Sequence, residues 1–163
     1  MVSPGINGSA PAKIINKSYG HKSLVHCGRR PRWRYGLNAK AMKLPGPDHP
    51  ITVELSRSRV VVCVGEIEIV NSRDALILRE ASYPPVLYIP RRDADMSRLT
   101  RSDLSTYCPY KGDCSYYSIP SGGPKSVNAA WTYERPYAAV AEIQGHLAFY
   151  RDRVDSMKIA ADS

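Results

Sequence analysis

The chain alternates between apolar and polar positions in short runs, and the period is mostly two. Ile51, Val53 and Leu55 alternate with Thr52 and Glu54, which predicts a strand with one face turned inward. Residues 60–64 are β-branched on both faces, as in a strand covered on both sides. Gly65 marks a break or bulge, and residues 66–70 alternate again. Residues 71–74 are a polar turn. Residues 75–80 suit a short helix or a strand, and the strands on either side favour a strand. Pro84 and Pro85 fix an extended path into a strand over 86–89, which stops at Pro90.

Helical spacing is brief. Met96 and Leu99 lie three apart, which predicts one or two helical turns over 92–99. Pro136 opens a second short helix with Ala139, Val140 and Ile143 on one face and Gly145 as its stop. Between these, residues 104–107 are extended, 109–113 turn and 115–119 return. A Gly-rich loop follows over 120–125, then a strand over 127–133. Runs at 147–150 and 154–157 close the sheet. The pattern predicts a mainly β, single compact domain with two short helices and no internal repeat.

Composition sharpens the boundaries. The 163 residues are about one domain's worth of chain. The formal charge of +8 is uneven: residues 1–41 hold eight Lys or Arg and no acid. Residues 42–163 hold fifteen basic and fifteen acidic side chains and are neutral. Residues 1–41 therefore read as a basic, disordered N-terminal extension, and 42–163 as the domain. Translation from Met42 is an alternative to a start at Met1. Nucleic acid is expected to bind only through the extension, where Arg residues flank Trp33 and Tyr35. His21, His26 and Cys27 fall one ligand short of a structural zinc site. No apolar run reaches membrane-span length and no h-region opens the chain, so a cytoplasmic protein without a membrane partner is expected. The four cysteines form no CxxC pair, which fits reduced thiols.

The densest chemistry lies in TYCPYKGDCSYY, residues 106–117. Cys108 is a candidate nucleophile, since a nearby ammonium such as Lys111 favours the thiolate. A cysteine nucleophile also needs a base, and the domain's histidines, His49 and His146, are distant in sequence. Cys108 and Cys114 flank a turn, and two free thiols are the expected state. Lys111 in Pro-Tyr-Lys-Gly suits an anionic ligand, although no P-loop is present. Arg79 and Glu80 are adjacent, so on a strand they point to opposite faces and one of them requires a buried partner; Lys111 is a candidate for Glu80. Tyr88, Tyr107, Tyr110, Tyr116, Tyr117, Trp131 and Tyr133 fall on or beside expected strands. Such aromatics line ligand pockets or fill ordinary cores.

The segments REASYPPVLYIPRRDADM, TYCPYKGDCSYY, NAAWTYERPYAAV and GHLAFYRDRVD, in that order, resemble the family known as domain of unknown function 427. The resemblance covers about residues 42–157. It implies a compact β fold similar to the "β-tent" of the Mss4-like group. Some of that group bind zinc through cysteine pairs and some reduce methionine sulfoxide. The pairs are missing here, so neither property carries over, and no cofactor or metal is expected. The family is sometimes labelled a nucleotidyltransferase, but this chain has no Gly-Ser phosphate turn, and Asp93 and Asp95 read as charges at a helix start. By motif position the resemblance implies a pocket of Arg79, Glu80, Tyr88, Tyr107, Cys108, Lys111, Gly112, Tyr117, Trp131 and Tyr133. Cys114 stands where relatives are expected to carry alanine.

Three readings of function follow. The first is a binder of a small polar or anionic molecule in an aromatic-lined cleft. The second is an enzyme, with Cys108 as nucleophile or Glu80 as acid/base beside Lys111, or a nucleotidyltransferase as the family label suggests. A third reading is an interaction module tethered to nucleic acid by its basic extension.

Overall fold

A computed structural model describes residues 40–161. The expectations for residues 1–39, including the His21/His26/Cys27 cluster and the Trp33 and Tyr35 stacking surface, lie outside the described residues.

The chain is mainly β. Its strands are β1 (Ile51–Leu55), β2 (Ser58–Val64), β3 (Ile67–Ser72), β4 (Leu76–Glu80), β5 (Val86–Tyr88), β6 (Thr100–Cys108), β7 (Gly112–Ser118), β8 (Ala130–Thr132), β9 (Leu147–Phe149) and β10 (Ser156–Ala161). They form three antiparallel sheets, in the orders β1-β4-β5, β10-β2-β3 and β6-β7-β8-β9. One closing sheet was the expectation. The division into three follows from the short strands: β5, β8 and β9 have three residues each and end in turns before a wide sheet can form.

The four-stranded sheet is buried on both faces at β7, β8 and β9 while β6 is largely exposed, and its pleat sorts the side chains. Tyr116, Trp131 and Ala148 lie opposite one another across β7, β8 and β9. They face a core shared with Leu78, Tyr88, Cys108, Cys114 and Tyr133. The next register row is Tyr117, Ala130 and Phe149. It faces a second core built on Val60, Val62, Val64, Ile69 and Val70 from β2 and β3. Backbone hydrogen bonds between Ile89 and Leu147, 2.7 and 2.8 Å, join the end of β5 to β9.

Several boundaries differ from the sequence pattern. The run at 75–80 is a strand from Leu76 to Glu80. The expected strand over 127–133 shrinks to β8, because Asn128 takes a positive φ of 53° and breaks the extended run. The loop over 120–125 is wound into a 3-10 turn, Pro120–Ser126. The helical turns expected at 92–99 are two 3-10 turns, Arg91–Asp93 and Met96–Arg98. The helix after Pro136 is a 3-10 stretch, Ala138–Ile143, that buries Val140 and Ile143 but leaves Ala139 exposed. No helix among the described residues is long and apolar enough to cross a membrane.

Candidate functional site

One cavity opens between the β1-β4-β5 sheet and the tip of the β6–β7 hairpin. It has a volume of about 180 Å³ and is lined by residues of five segments. Strand β4 contributes Leu78 and Glu80, which are two apart and share a face. Strand β5 and the loop before it contribute Tyr88, Val86, Pro84 and Tyr83. The hairpin tip supplies the stretch from Cys108 to Lys111, and Trp131 and Tyr133 form the floor from β8 and its end. His49 arrives from the segment that leads into β1.

The polar centre is a pair of ions. Lys111 Nζ donates to Glu80 Oε2. The Lys111 side chain is only 5% exposed and that of Glu80 17%. A buried ammonium is tolerated only with a partner of this kind. His49 Nε2 lies 3.0 Å from the other carboxylate oxygen, Oε1. Burial pushes the Glu80 carboxyl up, but the hydrogen bonds and charge of Lys111 and His49 outweigh it, and the net shift is downward. Glu80 is therefore an ionised acceptor at neutral pH, and His49 must carry its proton on Nε2 to donate.

Local structure places each group. Cys108, Pro109, Tyr110 and Lys111 form a turn closed by Lys111 N–H donating to Cys108 O at 3.3 Å. Gly112 ends it at φ +100°, a conformation that favours glycine, with Arg135 O 3.4 Å from where a Cβ would stand. The Lys111 carbonyl accepts from Tyr137 N at 3.1 Å, which fixes the turn from behind. His49 is held from two sides. Its ring stacks on Tyr110, with centroids 3.9 Å apart and an interplanar angle of 4°. Next to Glu80, Ala81 N–H donates to Pro50 O at 2.8 Å and keeps the incoming chain alongside.

The walls are aromatic and the thiols unbridged. Trp131 meets Tyr88 edge-on at 6.5 Å, and its Nε1–H donates to Tyr88 Oη at 3.4 Å. Burial raises the Tyr88 and Tyr133 phenols well above their ordinary range, so both stay neutral. Cys114 is fully buried, and burial pushes its thiol up to about 11. Cys108 and Cys114 are both free, as is Cys63. In the ladder Cys108 pairs with Gly112, and Cys114 pairs with Thr106, so the two thiols do not stand opposite each other.

The structure gathers Glu80, Tyr88, Cys108, Lys111, Trp131 and Tyr133 around this cavity and leaves four expected members outside it. Arg79 is exposed on the opposite face of β4. Tyr107 points away from Cys108, with its hydroxyl between Ala41 O at 2.8 Å and Tyr137 Oη at 2.9 Å. Tyr117 sits in the second core, where its hydroxyl accepts from Arg91 at 3.2 Å. Gly112 shapes the turn but does not line the cavity. Each of the first three neighbours a residue that faces the first core or the cavity, and the two-residue strand period sends it the other way. Sequence reasoning left out His49, Tyr83, Pro84, Leu78 and Val86 as cavity residues. The Leu78/Glu80 spacing was the one signal available, since a strand over 75–80 puts both on one face.

Asp93 and Asp95 hold neighbouring side chains and a helical turn. Asp93 accepts from Ser72 Oγ at 2.6 Å, and Asp95 caps a 3-10 turn through Ser97 N at 3.1 Å. Among the described residues no three His, Cys, Asp or Glu side chains cluster as a metal site would require.

These features define a small antiparallel β domain with an ion-paired cavity that opens to solvent. The sequence profile of the family described as "Domain of unknown function (DUF427)" matches residues 52–160, and the chain belongs to that family. No curated protein matches the chain.

Proposed function

We propose that the protein binds a small molecule in the cavity between β4, β5 and the β6–β7 turn. The observation that carries this reading is the Glu80–Lys111 pair, two ionised groups set in a wall of tyrosine, tryptophan and aliphatic side chains. Ion pairs are weak stabilisers of a fold, because desolvation offsets their attraction. An apolar cavity with a few convergent polar groups is the usual form of a ligand site. The aromatic walls would hold the body of the ligand, and Glu80, Lys111 and His49 its polar end.

Thermal unfolding with panels of small cyclic metabolites tests the reading. A ligand at about a hundred times its Kd adds about 2.7 kcal/mol. The expected hit loses its effect in Trp131→Ala and Lys111→Met. A full panel without any saturable shift overturns the reading.

A second reading rests on Cys108, whose side chain also borders the cavity. There it would act as a nucleophile, with Lys111 stabilising a developing anion. Selective alkylation of Cys108 by iodoacetamide at neutral pH, read by mass spectrometry, supports it. Modification no faster than that of Cys63 removes it.

A further inference from the structure

The size of the cavity and the pairing of its charges narrow the ligand further. Resting on the binding reading above, we propose that the occupant is an uncharged, planar, single-ring molecule with an amide edge. Its N–H donates to Glu80 and its adjacent C=O accepts from Lys111.

Size comes first. An apolar cavity of about 150 Å³ holds one benzene. The cavity of about 180 Å³, open on one side, accommodates one substituted ring between its walls. A nucleoside triphosphate would have to lie almost wholly outside the walls.

Charge comes next. Glu80 and Lys111 are already in direct contact and cancel each other. A ligand with one full charge would add an unbalanced ion to walls made of Leu78, Val86, Tyr88, Trp131 and Tyr133. A zwitterion would balance, but two full charges must then leave water. A neutral amide edge carries one donor beside one acceptor and leaves far less hydration behind.

Valence agrees. Lys111 has three N–H donors, and Glu80 takes one. The side chain is 5% exposed, so bulk water has little access to the remaining donors, and Lys111 is among the residues that line the cavity. Each Glu80 oxygen holds one donor, from His49 or Lys111, and a carboxylate offers about four lone-pair positions in all. The donor and the acceptor stand side by side, as the two atoms of an amide edge do. Flat walls suit a flat ring: Trp131 and Tyr88 meet nearly at right angles, 84°, and form a corner for its face and rim.

The test uses the full chain near neutral pH and four probes: 2-pyridone, benzoate, toluene and phenylalanine. Affinities come from protein-observed NMR, with the Trp131 indole N–H as reporter. Hydrogen bonds to charged groups are expected to favour 2-pyridone over toluene and benzoate by about ten-fold or more. In Glu80→Gln that advantage shrinks towards unity while toluene binding persists. Because the variant can disturb folding, the ranking of the four probes on the unaltered chain decides the matter alone. Tightest binding of benzoate marks an anion site, and tightest binding of phenylalanine a zwitterion site. Either result overturns the amide edge while the cavity remains a ligand site. Equal binding of toluene and 2-pyridone also overturns it. Failure of every probe to bind overturns this inference, while the panel of cyclic metabolites decides the reading on which it rests.

Discussion

At the scale of single residues, the behaviour of the site rests on one ion pair. Removing one partner of a buried pair strands the other, at a cost of about 3–5 kcal/mol when burial is complete. Glu80 keeps some exposure, so Lys111→Met is expected at the lower end, about 3 kcal/mol. The double variant Lys111→Met/Glu80→Gln is expected to regain part of that loss. Urea unfolding of the three variants measures the coupling, and strict additivity would show that the pair is not energetically linked. The same pair sets an acid limit. The Glu80 carboxyl is lower in the folded chain than its ordinary 4.5. Its contribution is therefore present above about pH 4.5 and is lost as pH falls through the lowered folded value. Unfolding temperatures followed from neutral to acid pH should drop more steeply for the unaltered chain than for Glu80→Gln.

At the scale of elements, the β6–β7 turn is the piece on which the site depends. It must reverse direction while pointing Lys111 inward and Tyr110 against His49. Gly112 makes this possible at φ +100° beside the Arg135 carbonyl. Gly112→Ala is expected to destabilise the chain by about 1–2 kcal/mol, since an L side chain is strained there. It should also shift the Trp131 indole N–H resonance, because the cavity wall moves with the turn. A variant that keeps both its unfolding midpoint and that resonance would show that the turn tolerates a Cβ. The lead-in to β1 is the second essential element. Lys43 N–H donates to Pro109 O at 2.9 Å, Tyr107 Oη donates to Ala41 O, and Lys40 pairs with Asp113. These contacts tie the segment to the hairpin and deliver His49 to Glu80.

At the scale of the whole molecule, the net charge is uneven along the sequence. Residues 42–163 are neutral, and the basic excess lies before them. Removing residues 1–39 is expected to lower the salt concentration at which the chain leaves a heparin column. An unchanged elution would place the polyanion-binding surface on residues 40–163. The mainly β class was legible because alternation at residues 51–55 and 66–70 demands a half-buried strand whatever lies opposite. The family was legible from four ordered motifs. The Glu80–Lys111 partnership was legible as a candidate, because a charge on an inward strand face requires an opposite charge. Which residues share the cavity was not. Arg79, Tyr107 and Tyr117 stand in the same motifs as Glu80, Cys108 and Tyr116, and only the pleat of the folded sheets separates them. His49 was named as a possible base but could not be placed, for a different reason: it lies thirty-one residues before Glu80 and meets it through the antiparallel pairing of β1 with β4. Local patterning thus determined the strands and the class of fold. The site was decided by the packing of one sheet against the hairpin tip of another, since contacts between distant segments exist only once the chain has closed.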